Sequence, residues 1–360
     1  MDKKNQVLSV CIITKNESKK LEKCLQTLKA YPFEIVIVDT GSTDDTKQMA
    51  KAYTSAIYDF DWCDDFAAAK NFAIRKAGND RIMILDSDEY LSEIDVKGLL
   101  RMLEQCPEQV GRICRHNVLT RDGQRIENVE YINRIFSREL FHYEGRIHEQ
   151  VVALSKKEYE TYLAPVTIIH TGYDGTEEER NKKAQRNIEL LLKEREENFK
   201  DTYILYQLGK SYYMAGSYVQ AIQYFELALG YDLNPKLEYV IDMVETYGYA
   251  LLKVGQVETA LLLENIYQEF GDSADFKFLM GLIYMNNERF DDAVTEFEKA
   301  AEYKTSRMVG VNSYLAYYNA GIIRECLGDV DAARSYYEKC GKYERAVERL
   351  TCINKQNTEE

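Results

Sequence analysis

Acidic residues gather where three short apolar runs end. One run closes on Asp86-Ser87-Asp88-Glu89, another on Asp39-Thr40, and the first gives way to Thr14-Lys15-Asn16-Glu17. Asp86 and Asp88 are two positions apart, so alternation along an extended segment points both carboxylates the same way. Two convergent carboxylates suit a hard divalent cation such as Mn2+ or Mg2+, which prefers oxygen ligands. Acidic residues also end strands for no chemical reason, so the triplet takes its meaning from the elements around it.

Those elements read as alternating strand and helix. Leu8–Thr14, Glu34–Asp39 and Arg81–Asp86 are short apolar runs with polar exits, the pattern of buried strands. Between the first two, Leu21, Cys24, Leu25 and Leu28 fall on one helical face. After the second, Gly41-Ser42-Thr43-Asp44 offers a turn and N-cap residues for another helix. This order predicts a mostly parallel, Rossmann-like α/β sheet with helices on both faces. Ligands of such sheets sit beyond the carboxyl ends of the strands, where the polar residues have collected.

From about Thr176 the strand signal stops and the chain reads as successive helices. Glu177–Asn198 is highly charged, with Ile188, Leu191 and Leu192 as its apolar stripe. Beyond it Gly209, Gly248, Gly281 and Gly321 are each followed twelve residues later by Ala221, Ala260, Ala293 and Ala333. Aromatics stand four residues further on at Phe225, Phe297 and Tyr337, but Glu264 holds that place in the second unit. The successive glycines are 39, 33 and 40 residues apart. This pattern resembles the tetratricopeptide repeat, an all-α stack of helix pairs. The expected domains are an α/β domain over 1–175, a helical linker over 176–200, repeats over 201–352 and a polar tail over 353–360.

Four stretches of the first half resemble the family-two glycosyltransferases of the GT-A fold: Val10–Glu17, Ile35–Asp44, Asp65–Asn71 and Ile84–Glu89. The resemblance implies a nucleotide-sugar donor, UDP-linked, with Thr14, Asn16, Glu17, Asp39, Asp65 and Lys70 at its pocket. Asp86-Ser87-Asp88 looks like the family's DxD motif, with Asp86 reaching ribose or metal and Asp88 holding Mn2+ or Mg2+ against the diphosphate. Most similar proteins carry arginine where Lys70 stands; lysine keeps the charge but lacks the planar fork for bidentate contacts.

Gly145–Gln150 resembles the His-Glu segment of a subgroup that includes lipopolysaccharide-core glucosyltransferases, which implies Glu149 as the general base of an inverting transfer, with Glu144 as the fallback. The subgroup's closing segment resembles Ile169-His170-Thr171-Gly172-Tyr173 with Lys182, Lys183 and Arg186; His170 would complete the metal shell and Lys183 would close on the diphosphate. A histidine after an apolar strand is equally a structural residue. His116, His142 and Trp62 receive no catalytic role.

The remaining composition narrows the partners. A net charge of −14 over 360 residues disfavours wholesale nucleic-acid binding. No run approaches a membrane span, and eight scattered cysteines without a CxxC pair suit reduced thiols and a cytoplasmic setting. Fusions of this kind look like those that modify cysteine or serine in bacterial peptides, so a peptide, protein or glycan acceptor is expected. The repeats would bind that acceptor or form a homodimer near Tyr336 and Tyr337. Two alternatives are a repeat scaffold with an inactive glycosyltransferase half and a nucleotidyltransferase. Thr14–Ser18 lacks the glycine-rich loop usual in the latter.

Overall fold

The computed structural model describes residues 7–121, 124–171 and 177–359. The chain divides between Glu179 and Arg180 into two compact units. The first contains β1 (Leu8–Thr14), α1 (Ser18–Leu28), β2 (Phe33–Asp39), α2 (Thr46–Ala50), β3 (Ile57–Asp59), α3 (Phe66–Lys76) and β4 (Arg81–Asp86). Then come β5 (Glu89–Ile94), α4 (Val96–Gln105), β6 (Val110–Arg121), β7 (Gln124–Ser137), β8 (Phe141–Glu144), β9 (Gln150–Ala153) and β10 (Thr161–His170).

Eight strands form one sheet in the order β3-β2-β1-β4-β7-β6-β10-β5, and β8-β9 form a separate ribbon. The β3-β2-β1-β4 half is parallel. β7 runs against both β4 and β6, and β5 runs against β10. Alternation sends Leu8, Val10 and Ile12 to one face, where they pack with Leu21, Cys24, Leu25 and Leu28 of α1. Cys11, Val36, Val38, Ile82 and Ile84 face the other way, against Ala67, Ala73 and Ile74 of α3. Each fully buried Leu or Ile contributes about 1.5–3 kcal/mol by leaving water. Both faces of the sheet are therefore covered, as the GT-A-like reading requires.

Register puts the polar exits level. Thr14 lies opposite Asp39, and Ile13 opposite Asp86, so β1, β2 and β4 end at one edge of the sheet.

The second unit begins in the charged helix α5 (Glu177–Glu197). Its buried side chains include Ala184, Ile188, Leu190 and Leu191, so the apolar stripe includes Leu190 rather than the expected Leu192. Next come α6 (Thr202–Met214), α7 (Tyr218–Leu229), α8 (Glu238–Lys253), α9 (Val257–Ala260) and α10 (Tyr267–Phe270). A 3-10 turn over Leu261–Ile266 joins the last two. The unit ends with α11 (Ala274–Asn286), α12 (Phe290–Ala301), α13 (Tyr314–Cys326), α14 (Val330–Lys339) and α15 (Glu344–Glu359). The segment expected as a polar tail is helical to Glu359 and buries Ile353.

The repeated glycine has a physical reason. A methyl group on Gly209 would stand 2.4 Å from the Phe225 ring, and on Gly281 or Gly321 it would stand 2.6 Å from Phe297 or Tyr337. The ring of one helix thus lies directly on the bare backbone of its partner. At Gly248 the leucines Leu279 and Leu263 take that space, and the second helix of this pair is the one broken into α9, a 3-10 turn and α10. Tyr337 is fully buried as the core ring of its own helix pair, so any contact near it would use its neighbours rather than its ring.

A charged cluster ties three of these helices together. Arg307, between α12 and α13, pairs with Glu245 of α8, and Asp275 of α11 accepts from the backbone N–H groups of Arg307 and Met308 at 2.8 and 2.7 Å. Asp242 of α8 is bound by Lys210 and accepts from the Tyr206 hydroxyl at 2.6 Å.

Candidate active site

At the end of β2, Asp39 is buried. Its Oδ1 accepts from the N–H groups of Gly41 and Ser42 at 3.0 and 2.7 Å, while Oδ2 is buried without a hydrogen-bond partner. Thr14 Oγ1 beside it is in the same condition. Burying a polar atom unpaired is costly, so these two atoms mark a place where a ligand would complete the bonding. Asn16 has φ of 52° and its Oδ1 accepts from the Thr43 N–H at 2.7 Å, so it shapes the 41–44 loop. Glu17 is held by Lys20 at 3.3 Å and accepts from the Ser87 hydroxyl. Asp65 caps α3 through the Ala68 N–H at 2.8 Å.

The Asp86–Asp88 geometry corrects the expectation of alternation. β4 ends at Asp86, and Ser87 and Asp88 form a turn before β5. The two carboxylates therefore do not alternate along one strand. Asp86 is turned to Lys70 at 3.0 Å and to Arg134 at 2.8 Å. Burial alone would raise its pKa, but Arg134 and Lys70 overcome that and hold the carboxyl well below its ordinary value. Asp88 instead lies 3.5 Å from His170 Nε2.

Lys70 connects the two halves of the site. Its side chain is only 4% exposed, and its ammonium lies 2.5 Å from Glu149 as well as 3.0 Å from Asp86. Burial opposes the charge, yet Asp86 and Glu149 raise the pKa above lysine's ordinary value. Lys70 thus acts as a point charge between two carboxylates, a task that needs no planar fork. The turn bearing Glu149 is fixed by Asn71, next along α3: its Nδ2 donates to the Tyr143 carbonyl at 2.8 Å, and its Oδ1 accepts from the Tyr143 N–H at 2.9 Å. The Phe66 N–H also donates to the Arg146 carbonyl at 2.8 Å. Glu149 follows the bend over residues 145–148 and directly precedes β9, with its side chain 11% exposed. Glu144 is exposed, bound to Lys156 and, at 2.8 Å, to His142.

Asp88 and His170 fit a divalent cation in donor type and spacing: one hard oxygen and one imidazole nitrogen close enough to share an ion. Among the described residues no group of three or more His, Cys, Asp or Glu could hold a metal alone. A cation here would complete its shell with diphosphate oxygens and water, as Mg2+ commonly does. Asp86, with Lys70 and Arg134 already on it, stands outside this donor pair.

The sequence reading gave no role to three side chains, Glu89, Arg115 and Arg134. Glu89 is fully buried, receives Arg134 at 2.9 Å and Arg115 at 3.1 Å, and accepts from the Asp86 N–H at 2.9 Å. Burial disfavours the Arg134 charge, but Asp86 and Glu89 raise its pKa well above arginine's ordinary value. The available signal was an arginine interrupting the apolar run Ile132–Phe136. Lys183 lies on α5 in the second unit, and Gly172 and Tyr173 lie outside the described residues.

Comparison with known proteins agrees with both halves. Residues 9–154 match the family described as glycosyl transferase family 2, and residues 247–308 and 278–344 match a tetratricopeptide repeat family. The SPbeta prophage-derived glycosyltransferase SunS of Bacillus subtilis is 24% identical over 303 residues, covering 79% of this chain and 70% of that protein. A TPR repeat-containing protein of Synechococcus elongatus is 30% identical over 56% of this chain and 51% of its own. The lipopolysaccharide core biosynthesis glycosyltransferase LpsC of Rhizobium meliloti is 34% identical over 34% of this chain and 47% of its own. No helix among the described residues is long and apolar enough to cross a membrane. With its sheet, its level strand ends and its glycine-on-ring helix pairs, the chain carries a glycosyl transferase family 2 domain followed by tetratricopeptide repeats.

Proposed function

We propose that the protein is an inverting, metal-dependent hexosyltransferase that moves a sugar from a UDP-linked donor to a peptide, protein or glycan acceptor. The observation that carries this reading is the Lys70 bridge, which ties the candidate base Glu149 to Asp86 at the end of β4. Asp39 Oδ2 and Thr14 Oγ1 take the nucleoside's hydrogen bonds. Asp88 and His170 would hold the cation. A divalent ion there neutralises the charge that develops on the leaving diphosphate. Glu149 accepts the proton from the attacking hydroxyl or thiol as the new bond forms at the anomeric carbon. The repeats present the acceptor, since stacked helix pairs create a surface suited to an extended chain.

The test is release of nucleoside diphosphate from a panel of nucleotide sugars, with and without Mn2+. We expect Mn2+-dependent release from a UDP-sugar. Release from no donor, with peptide or glycan acceptors present, would overturn the reading in favour of a repeat scaffold with an inactive domain.

A further inference from the structure

We infer that Asn117 is a positioning residue that fixes the tautomer and aim of His170; this rests on the reading that Asp88 and His170 hold a divalent cation. Asn117 on β6 and His170 on β10 are register partners on adjacent parallel strands. Their side chains meet, with Asn117 Oδ1 at 2.8 Å from His170 Nδ1. The other end of the amide meets Glu130 of β7.

Hydrogen-bond capacity decides the arrangement. Glu130 Oε1 also takes the Arg115 guanidinium, through Nε at 3.0 Å and Nη2 at 2.7 Å, so that oxygen acts as an acceptor. The end of Asn117 that faces it must therefore be the NH2 group. That leaves Oδ1, which can only accept, toward His170, so Nδ1 must carry the proton. In the neutral ring Nε2 then presents a lone pair, and Nε2 is the atom turned to Asp88 at 3.5 Å. The nitrogen that binds a metal is set by the hydrogen bond the other nitrogen makes.

The anchor reaches further. Arg115 also binds Glu89 at 3.1 Å, Glu89 binds Arg134 at 2.9 Å, and Arg134 binds Asp86 at 2.8 Å. Charges of alternating sign thus run beneath the turn from Asp86 to Glu130, and Asn117 passes that order on to His170. Every member but Asp88 is on a strand, which limits its freedom to reorient.

The test uses full-length, metal-free protein labelled with 15N-histidine; its four histidines make assignment tractable. Long-range 1H–15N correlation should show His170 protonated at Nδ1. In Asn117→Leu it should move toward the Nε2-protonated form, and Mn2+ affinity by electron paramagnetic resonance titration should fall about 10–100-fold. The paired change Asn117→Asp with Glu130→Ala keeps an acceptor on Nδ1 without setting two carboxylates against each other and leaves Arg115 a carboxylate to pair with, so it should restore both readouts. Should Asn117→Leu fail to fold, the paired variant decides alone. An Nε2-protonated His170 in the wild type, or Asn117→Leu with unchanged tautomer and Mn2+ affinity, would overturn the assignment. A wild type with the expected tautomer but no Mn2+ binding would support the Asn117 role and sink the cation reading instead.

Discussion

Lys70 and Glu149 form a 2.5 Å ion pair in a site where the lysine is almost wholly buried. A buried cation beside the candidate base fixes the direction of its carboxylate. Removing one partner leaves a buried charge uncompensated, which costs more than the pair contributes.

Glu149→Gln keeps the shape of the side chain and removes its basicity. Donor affinity should be nearly unchanged while transfer falls by about two orders of magnitude or more. The check is kcat for transfer against the Kd for UDP. Normal transfer with earlier melting would make Glu149 structural and turn attention to Glu144.

Lys70→Met leaves Asp86 with Arg134 alone and Glu149 without its cation. Unfolding free energy should drop by about 3–5 kcal/mol, measured by the urea midpoint. Combined with Glu149→Gln the loss should be smaller than the sum of the single losses, because one of the stranded charges has gone. Additive losses would show that the two side chains do not depend on each other.

Chelation should abolish donor turnover, and Mn2+ or Mg2+ should restore it. Asp88→Asn should remove most of the activity by deleting an anionic oxygen from the donor pair with His170. Full turnover after exhaustive chelation would end the metal assignment.

Local pattern carried much of this molecule. Short apolar runs with polar exits identified β1, β2 and β4, and α1 buries the same four residues, Leu21, Cys24, Leu25 and Leu28, that its spacing singled out. The charge series beneath the turn was not legible. Arg134 and Asp86 are 48 residues apart and meet only because β7 folds back antiparallel to β4. The relation of Asp86 to Asp88 was misread because alternation was carried past the last residue of a strand into a turn. In the repeats the glycine–aromatic offset pointed to a real packing contact, at Tyr337 as at Phe225 and Phe297.

Stability should fall as pH rises through neutrality, because of Glu245. Burial pushes its carboxyl up to about 8; Arg307 opposes this, and Asp275 and Asp242 add to it. In the unfolded chain the group titrates near the ordinary 4.5. Between these values the native state binds more protons, so unfolding free energy declines with pH, at up to about 1.4 kcal/mol per unit. The thermal midpoint should drop between about pH 5 and 8 by this linkage. Glu245→Gln should flatten that dependence; an unchanged slope would refute it.

The broken helix of the second repeat pair sets how the stack comes apart. Three pairs lock a ring onto a glycine, while the pair at Gly248 relies on leucines, and its Glu264 forms an exposed ion pair with Arg289. An exposed pair of that kind contributes only about 0–1 kcal/mol. In a linear array each unit is held by its neighbours, so cooperativity is as strong as its weakest junction. Amides of residues 257–270 should therefore exchange with deuterium before those of α6, α11 or α13, marking the second pair as the place where the stack first opens to water.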